Sequence, residues 1–155
     1  MSRVIFCTKK LPFARYIARW TRGYGHAALI SDRRPGMWLE ANFSGINYYP
    51  AYPLESLHKY DIVELPFDIE EAGIKHIGTR YNFRGIIASF FHFRWKPNGR
   101  FCDQEILRMC AESGHPIIDE SLEDEIDPVQ CRNLLNAYLR GMKHVEGTRE
   151  SDRPR

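Results

Sequence analysis

The chain of 155 residues has the length of one ordinary globular domain. Hydrophobic residues make up 43% of it and aromatic residues 13%, which is enough apolar material for a packed core and argues against a disordered chain. The 22 Lys and Arg residues nearly balance the 20 Asp and Glu residues, so we expect no nucleic-acid partner that is recruited mainly by charge.

The first part of the chain predicts short strands joined by turns. Alternating apolar and polar residues, or compact apolar runs between turn residues, indicate each strand. The sequence SDRRPG at 31–36 is rich in turn-forming residues and predicts a hairpin between the strands on either side of it. The Tyr- and Pro-rich segment 47–53 predicts a loop. The expected strands cover 2–8, 26–30, 37–42 and 60–66.

Helices are predicted mainly in the second part of the chain, so the overall class is α+β. Asp68 and Asp127 are expected to cap the helices that follow them, and Pro128 suits the first helical position. Residues 1–142 are expected to form a single domain, and the charged segment 143–155 a disordered tail. The expected helices cover 11–21, 68–80, 81–95, 103–112 and 128–139.

Cys102 is the candidate nucleophile. It comes immediately before a predicted helix, where unpaired backbone N–H groups and the positive end of the helix dipole lower the pKa of a thiol. The thiolate is the reactive form of cysteine in covalent catalysis. A small buried side chain with a purely structural role is the alternative at this position.

His26 and Glu40 are the candidates for activating that thiol. His26 opens a strand after Gly-Tyr-Gly, so its ring can project from the edge of a sheet and act as a base. Glu40 lies between apolar neighbours on the returning strand of the hairpin and can orient the His26 ring. A structural histidine and a solvent-exposed glutamate are the alternatives.

Neither export, membrane insertion nor metal binding is predicted. The segment MSRVIFCTKK lacks the apolar stretch and cleavage site of a signal peptide, and charges interrupt every apolar run. We therefore expect cytoplasmic synthesis, with later release or incorporation into a virion left open. The four cysteines lack CxxC spacing and the six histidines do not cluster, so no metal and no cofactor are expected.

Several segments together resemble circularly permuted NlpC-type papain-like cysteine hydrolases, the YiiX-like group distantly related to lecithin retinol acyltransferase. The segment ending in Gly-His26-Ala-Ala-Leu-Ile is similar to that family's helix and "S-H-V-G-I" strand. The sequence MWLEA around Glu40 is similar to the strand that follows it. The remaining similarities are YNFRG at 81–85 to "Y-D-F-x-G", RFCDQEIL at 100–107 to "F-x-C-S-E-L-V", and DPVQ at 127–130 to the cap of the closing helix.

This resemblance implies a papain-like domain, an antiparallel sheet or small barrel packed against helices. It implies Cys102 as nucleophile, His26 as general base and Glu40 as the residue that orients the base. The oxyanion or substrate contacts implied by the same motifs are Tyr81, Phe101 and Asp103.

Two departures from the family pattern concern the residues next to the catalytic ones. Gly25 replaces the usual Ser before the histidine, and Asp103-Gln104 replaces the usual Ser-Glu after the cysteine. A carboxylate at Asp103 would raise the pKa of the neighbouring thiol unless it caps the helix and turns away.

The expected activity is hydrolysis of an amide or related ester bond through a covalent acyl-enzyme on Cys102. The family implies peptide or acyl-amide substrates, of which cell-wall (peptidoglycan) peptides are the leading expectation. A thiol acyltransferase and a hydrolase of lipid or N-acyl amides are alternatives. A different class is a non-enzymatic structural or interaction module on a papain-like scaffold, for instance in a phage particle. The oligomeric state is not predicted.

Overall fold

The computed structural model describes the greater part of the chain. The described residues are 1–10, 15, 18–19, 23–42, 44–80, 102–119 and 126–151, with side chains up to 142. Most of the predicted helix 11–21 and all of the predicted helix 81–95 lie outside these residues.

Five strands form one antiparallel sheet. Its order is β4-β3-β2-β1-β5, so that neighbouring strands run in opposite directions from one edge to the other. The strands are β1 (Ser2–Lys9), β2 (His26–Ile30), β3 (Met37–Asn42), β4 (Gly45–Pro50) and β5 (Leu57–Leu65).

Three helices are present among the described residues, and the fold is therefore mixed α+β. They are α1 (Glu70–Ile74), α2 (Cys102–Glu112) and α3 (Pro128–Ser151). The helix α2 packs against β2 and β3 and also contacts α1 and α3, which makes it the central helix of this layer. A single turn of 3-10 helix, Leu54–Ser56, precedes β5.

Apolar residues alternate along the strands and build two clusters on the two sides of the sheet. On the helix-covered face, residues such as Phe6, Leu29 and Leu39 pack with α2 in the larger cluster. On the opposite face, a smaller cluster contains Ile5, Cys7, Ala28, Trp38 and Leu57. The residues of both clusters have almost no contact with solvent, so the central strands of the sheet are buried on both faces.

Most strand predictions and the start of two helices are confirmed. The hairpin of β2 and β3 forms as expected, and α2 begins at Cys102. Asp127 caps α3, because its Oδ1 atom accepts hydrogen bonds of 2.8 Å from the N–H groups of Val129 and Gln130. In the described part of the chain no helix combines the length and the apolar character needed to cross a membrane.

The predicted loop at 47–53 is wrong, because most of it belongs to β4. Ile46 and Tyr48 are buried, whereas Asn47 is exposed, so the segment alternates as a strand along β3. The Tyr and Pro content suggested a loop, but pairing with β3 satisfies the backbone of this segment.

The helices also differ in length from the prediction. The helix α1 ends at Ile74 rather than near residue 80, because the backbone of Gly78 and Thr79 hydrogen-bonds to Ile46 of β4 instead of continuing the helix. The helix α3 continues to Ser151, beyond the predicted end near residue 139. The division into a domain over 1–142 and a tail stays a prediction.

Candidate active site

His26 and Glu40 form a buried pair at one end of the sheet. Their positions on β2 and β3 bring the two side chains together across the hairpin. The His26 Nε2 atom lies 2.8 Å from Glu40 Oε2, and the two side chains are 13% and 1% exposed. An ionised carboxylate can only accept, so Nε2 carries a hydrogen and Nδ1 of a neutral ring is free to take a proton. His26 and Glu40 are therefore close together, as predicted.

Two further polar side chains hold the Glu40 carboxylate. Asn42 donates from Nδ2 to Glu40 Oε1 at 3.3 Å, and Lys9 Nζ lies 3.8 Å from the same oxygen. Burial raises the pKa of the Glu40 carboxyl, but the hydrogen bond and charge of His26, with Lys9 and Asn42, outweigh it. The pKa therefore lies below its ordinary value, and Glu40 is a carboxylate at neutral pH.

The strands β2 and β3 pair only near the turn that joins them. Their register comprises Leu29 with Leu39 and Ile30 with Trp38, whereas β1 pairs with β2 as far as His26. Along β3, the pairing with β2 stops before the level of Glu40. A gap between β2 and β3 is thus located at the end of the sheet that carries the buried pair.

The sulfur of Cys102 lies at this end of the sheet. Cys102 is the first residue of α2 and is 5% exposed. The backbone N–H groups of Ala27 and Asp103 both donate hydrogen bonds to its side chain. The first comes from the strand residue after His26, and the second comes from the start of α2. The candidate nucleophile therefore lies beside the β2 backbone, at the residue that follows the candidate base along the strand.

The thiol and the imidazole belong to opposite faces of the sheet. Cys102 and Ala27 belong to the cluster on the helix-covered face, whereas His26 is paired with Cys7, which lies on the opposite face. Within the described residues no hydrogen bond joins the Cys102 sulfur to the His26 ring. Proton transfer between them requires the ring and the thiol to approach each other.

The pKa of the Cys102 thiol is raised well above its ordinary value, which corrects the expectation of a lowered one. Burial is the main cause, followed by the charge of Asp103, and the carboxylate of Glu40 adds to both. The two backbone hydrogen bonds stabilise the thiolate but do not compensate. The resting nucleophile is therefore a neutral thiol.

Asp103 does not turn away from the thiol. Its Oδ1 atom lies 3.8 Å from Cys102 Sγ, although the carboxylate also accepts hydrogen bonds from the first N–H groups of α2. The side chain is 3% exposed, and Oδ2 has no hydrogen-bond partner in the described part of the structure. Burial, together with the charge of Asp127, raises the pKa of Asp103 to about 7. Asp103 therefore changes charge near neutral pH, in contact with the candidate nucleophile.

A second cysteine faces the buried pair from β1. Cys7 is directly opposite His26 in the register of β1 and β2, and directly opposite residues share one face of a sheet. Cys7 is completely buried, and burial raises its thiol pKa to about 12. Cys7 is thus closed to substrate, whereas Cys102 keeps slight exposure at the start of a helix and remains the better candidate nucleophile.

Lys9, Asn42 and the position of Cys7 were not predicted from the sequence. Asn42 had a detectable signal, because it follows Glu40 by two residues on one strand and so shares its face. Tyr81 and Phe101 lie outside the described residues, and their roles stay predictions. No group of three or more His, Cys, Asp or Glu side chains in the described part of the chain is arranged to hold a metal ion.

Comparisons with family models, with curated proteins and with solved structures give no match to this chain.

Proposed function

We propose that this protein is a cysteine hydrolase in which Cys102 is the nucleophile, His26 the general base and Glu40 the residue that orients the base. One observation carries the proposal. A buried histidine–carboxylate pair, His26 Nε2 to Glu40 Oε2 at 2.8 Å, lies next to the backbone N–H group that binds the Cys102 sulfur. A base held by a carboxylate beside a cysteine at a helix start is the arrangement that nucleophilic catalysis requires.

We further propose that the fold is papain-like, in the permuted NlpC arrangement. The order of the residues along the chain supports this: histidine and acid on consecutive strands, followed by cysteine at the start of the helix that packs on them. This support concerns the fold only, so the proposed substrate class is based on the family resemblance alone.

The reaction begins with a proton transfer from the thiol to the base. His26 Nδ1 takes the proton from Cys102 as the sulfur attacks the carbonyl carbon of an amide or ester. The negative charge on the carbonyl oxygen is stabilised by a backbone N–H at the start of α2, such as that of Asp103. The carbon–nitrogen or carbon–oxygen bond then breaks, and the leaving group takes the proton from His26. Water, deprotonated by His26, releases the acyl group from Cys102.

The raised pKa of the thiol determines the timing of the first step. A resting thiolate–imidazolium pair is disfavoured at neutral pH, because burial and Asp103 both oppose the thiolate. Proton transfer therefore accompanies attack on a bound substrate, and it requires the His26 ring to move toward the sulfur.

A cell-wall peptide is the substrate class that we favour. Transfer of the acyl group to an acceptor other than water, and hydrolysis of lipid or N-acyl amides, use the same first steps. Product analysis with added amine or lipid acceptors distinguishes transfer from hydrolysis.

The proposal is tested by comparing two buried cysteines of the same helix. We expect Cys102→Ala to abolish turnover of a peptidoglycan-peptide or acyl-ester substrate, and Cys110→Ala to keep it, because Cys102 accepts a hydrogen bond from the β2 backbone at the start of the helix, whereas Cys110 lies near the other end of it. Incubation with an activated acyl ester should add one acyl mass to the wild type and none to Cys102→Ala. Circular dichroism of both variants checks folding. Turnover and acylation that survive in folded Cys102→Ala would rule out the mechanism.

Variants of the other two residues test their separate roles. His26→Ala removes the proton acceptor, whereas Glu40→Gln keeps a side chain that can hydrogen-bond the ring. We expect a larger loss of kcat in His26→Ala, since proton transfer contributes about 100-fold or more. An equal or reversed order of loss in folded variants would contradict the orienting role of Glu40.

The low exposure of Cys102 and the raised pKa of its thiol support a second candidate, a binding module without catalysis. The aromatic segments at 48–52 and 90–95 would then contact a partner protein, for example in a phage particle. Absence of acylation in the wild type would favour this candidate.

A further inference from the structure

A cavity of about 560 Å³ lies beside β1 and β5 and has a strongly basic lining. Its volume is within the range of about 300 to 1,000 Å³ that is common for small-molecule sites. Four of its lining residues are basic, and none of the described lining residues is acidic. The basic residues are Arg15, Arg19, His58 and Lys59.

The basic residues around this cavity have no acidic partner among the described residues. Several other cations have acidic partners: Arg3 lies 2.6 Å from Asp32, and Arg132 lies 3.0 Å from Asp61. No ion pair is found for any of the four cavity residues within the described part of the chain. Like charges repel each other, so the three cations Arg15, Arg19 and Lys59 around one cavity favour binding of an anion, and the His58 ring offers a further hydrogen-bond donor.

The cavity opens on the helix-covered face and near the end of the sheet that carries the candidate active site. Thr8, which lines the cavity, pairs with Lys59 across β1 and β5, so their side chains share a face. That face is the one of Phe6, two residues earlier on β1, in the cluster that contains Cys102. The cavity and the candidate active site are also close along the chain, because Thr8 directly follows Cys7, which pairs with His26.

Lys59 lies over an aromatic ring. Its Nζ atom lies 4.6 Å from the centre of the Tyr24 ring, and Thr8 Oγ1 donates to the carbonyl oxygen of Gly23 at 3.3 Å. Lys59 thus contacts a buried side chain, and the polar wall of the cavity is held to the segment that leads into β2.

We propose that this cavity binds an anionic oxygen group, a phosphate or a carboxylate, carried by the acyl substrate of the Cys102 site. The inference rests on the proposed function for the identity of the substrate but not for binding of the anion. Such a group, held by Arg19 and Lys59, would orient the substrate so that its carbonyl carbon reaches Cys102 on the same face.

Titration of the full chain with inorganic phosphate and with acetate, at constant ionic strength, tests the proposal. Amide chemical shifts of Thr8, Gly23 and Lys59 should change in a saturable manner, with a dissociation constant of about 1 to 10 mM. Tighter binding of phosphate identifies a phosphate site, and tighter binding of acetate a carboxylate site. We expect Lys59→Gln and Arg19→Gln each to weaken binding about fivefold.

The matched control is Lys75→Gln, which removes the same charge from an exposed residue that does not line the cavity. Its affinity should equal that of the wild type. Absence of saturation, or equal weakening in all three variants, would overturn the anion site.

Comparison with Cys102→Ala separates the two proposals. If this variant keeps turnover while phosphate binds as expected, the catalytic proposal and the assignment to an acyl substrate both fail. If turnover is lost and phosphate does not bind, only the cavity proposal fails.

Discussion

At the scale of single residues, the neighbour of the candidate nucleophile has the largest chemical consequence. The Asp103 carboxyl is buried, lies 3.8 Å from the Cys102 sulfur and has a pKa of about 7. When it is ionised, it opposes the thiolate, and when it is protonated, this repulsion disappears. Asp103 thus reduces the reactivity of Cys102 as the pH rises through neutrality.

Removal of this charge should activate the thiol. In Asp103→Asn we expect the pH profile of Cys102 alkylation to shift to lower pH by about one unit, which makes labelling at pH 7.5 about tenfold faster. Mass spectrometry of the labelled peptides measures the rate over a series of pH values. Cys110 is the internal control, because only burial raises its pKa, to about 12.

An unchanged profile for Cys102 in Asp103→Asn would contradict this role of the carboxyl. Equal acceleration at Cys102 and Cys110 would do so as well, since it would indicate a loosened helix rather than an electrostatic effect. Wild-type labelling that is rapid below pH 8 and is lost in His26→Ala would instead show that the base already overcomes the raised pKa of the thiol.

At the scale of elements, α1 packs so closely on its neighbours that a Cβ atom at one of its glycines would overlap core side chains. A Cβ atom at Gly73 would lie 2.6 Å from Leu39 Cδ2 and 2.5 Å from Met109 Cε, both of which belong to the core. At Gly141 of α3, no described atom lies within 4 Å of the added Cβ. The two helical glycines therefore predict opposite effects of the same substitution.

Gly73→Ala should destabilise the protein and Gly141→Ala should stabilise it. Alanine favours a helix by about 1 kcal/mol over glycine, and overpacking of a core costs about 1 to 3 kcal/mol. We expect the free energy of unfolding to fall by about 1 kcal/mol in Gly73→Ala and to rise by up to about 1 kcal/mol in Gly141→Ala. Urea unfolding measures both, and a stabilised Gly73→Ala would contradict the packing of α1 on β3 and α2.

Elements with strong local signals could be predicted from the sequence. The turn residues at 31–36 located the hairpin of β2 and β3, and Asp127 located the start of α3. The strand β4 was missed and the end of α1 was misplaced for one reason. The strand β4 depends on its pairing with β3, the end of α1 depends on the hydrogen bonds between Ile46 and the backbone of 78–79, and no local pattern indicates either contact.

The candidate site was predictable only in part. Period-two alternation and the hairpin predict that Glu40 lies near His26, as it does. The raised pKa of Cys102 could not be predicted, because it depends on burial by other elements and on the orientation of Asp103. A helix start lowers the pKa of an exposed thiol, but desolvation is the stronger effect at this position.

At the scale of the whole molecule, a buried carboxylate joins three parts of the fold. Glu70, at the start of α1, accepts a hydrogen bond from Tyr48 of β4 at 2.9 Å and another from Ser31 after β2. It also accepts from the backbone N–H groups of Asp32 and Arg33 in the hairpin turn. The helix α1, the hairpin and the edge strand β4 therefore form one connected unit, in which the β3 strand that carries Glu40 is fixed.

The four cysteines make the stability of the whole molecule sensitive to alkaline pH. All four are free and buried, and each has a thiol pKa raised above the ordinary value of 9.0. The unfolded chain loses these protons above about pH 9, whereas the folded chain keeps them. The stability they contribute is complete below pH 9 and is lost as the pH rises toward the folded pKa values.

Urea unfolding of the reduced protein between pH 9 and 10.5 should show this loss of stability. A variant with one thiol fewer should lose less stability over the same pH range. Each thiol contributes a slope of up to about 1.4 kcal/mol per pH unit, because one proton is released on unfolding. We expect the slope of Cys110→Ala to be smaller than that of the wild type by about this amount, since Cys110 has a pKa of about 12 when folded. Tyrosines and lysines titrate in the same range in both proteins, so the difference isolates one thiol. Equal slopes would mean that Cys110 ionises as readily in the folded core as in the unfolded chain, which is incompatible with its complete burial in the last turn of α2.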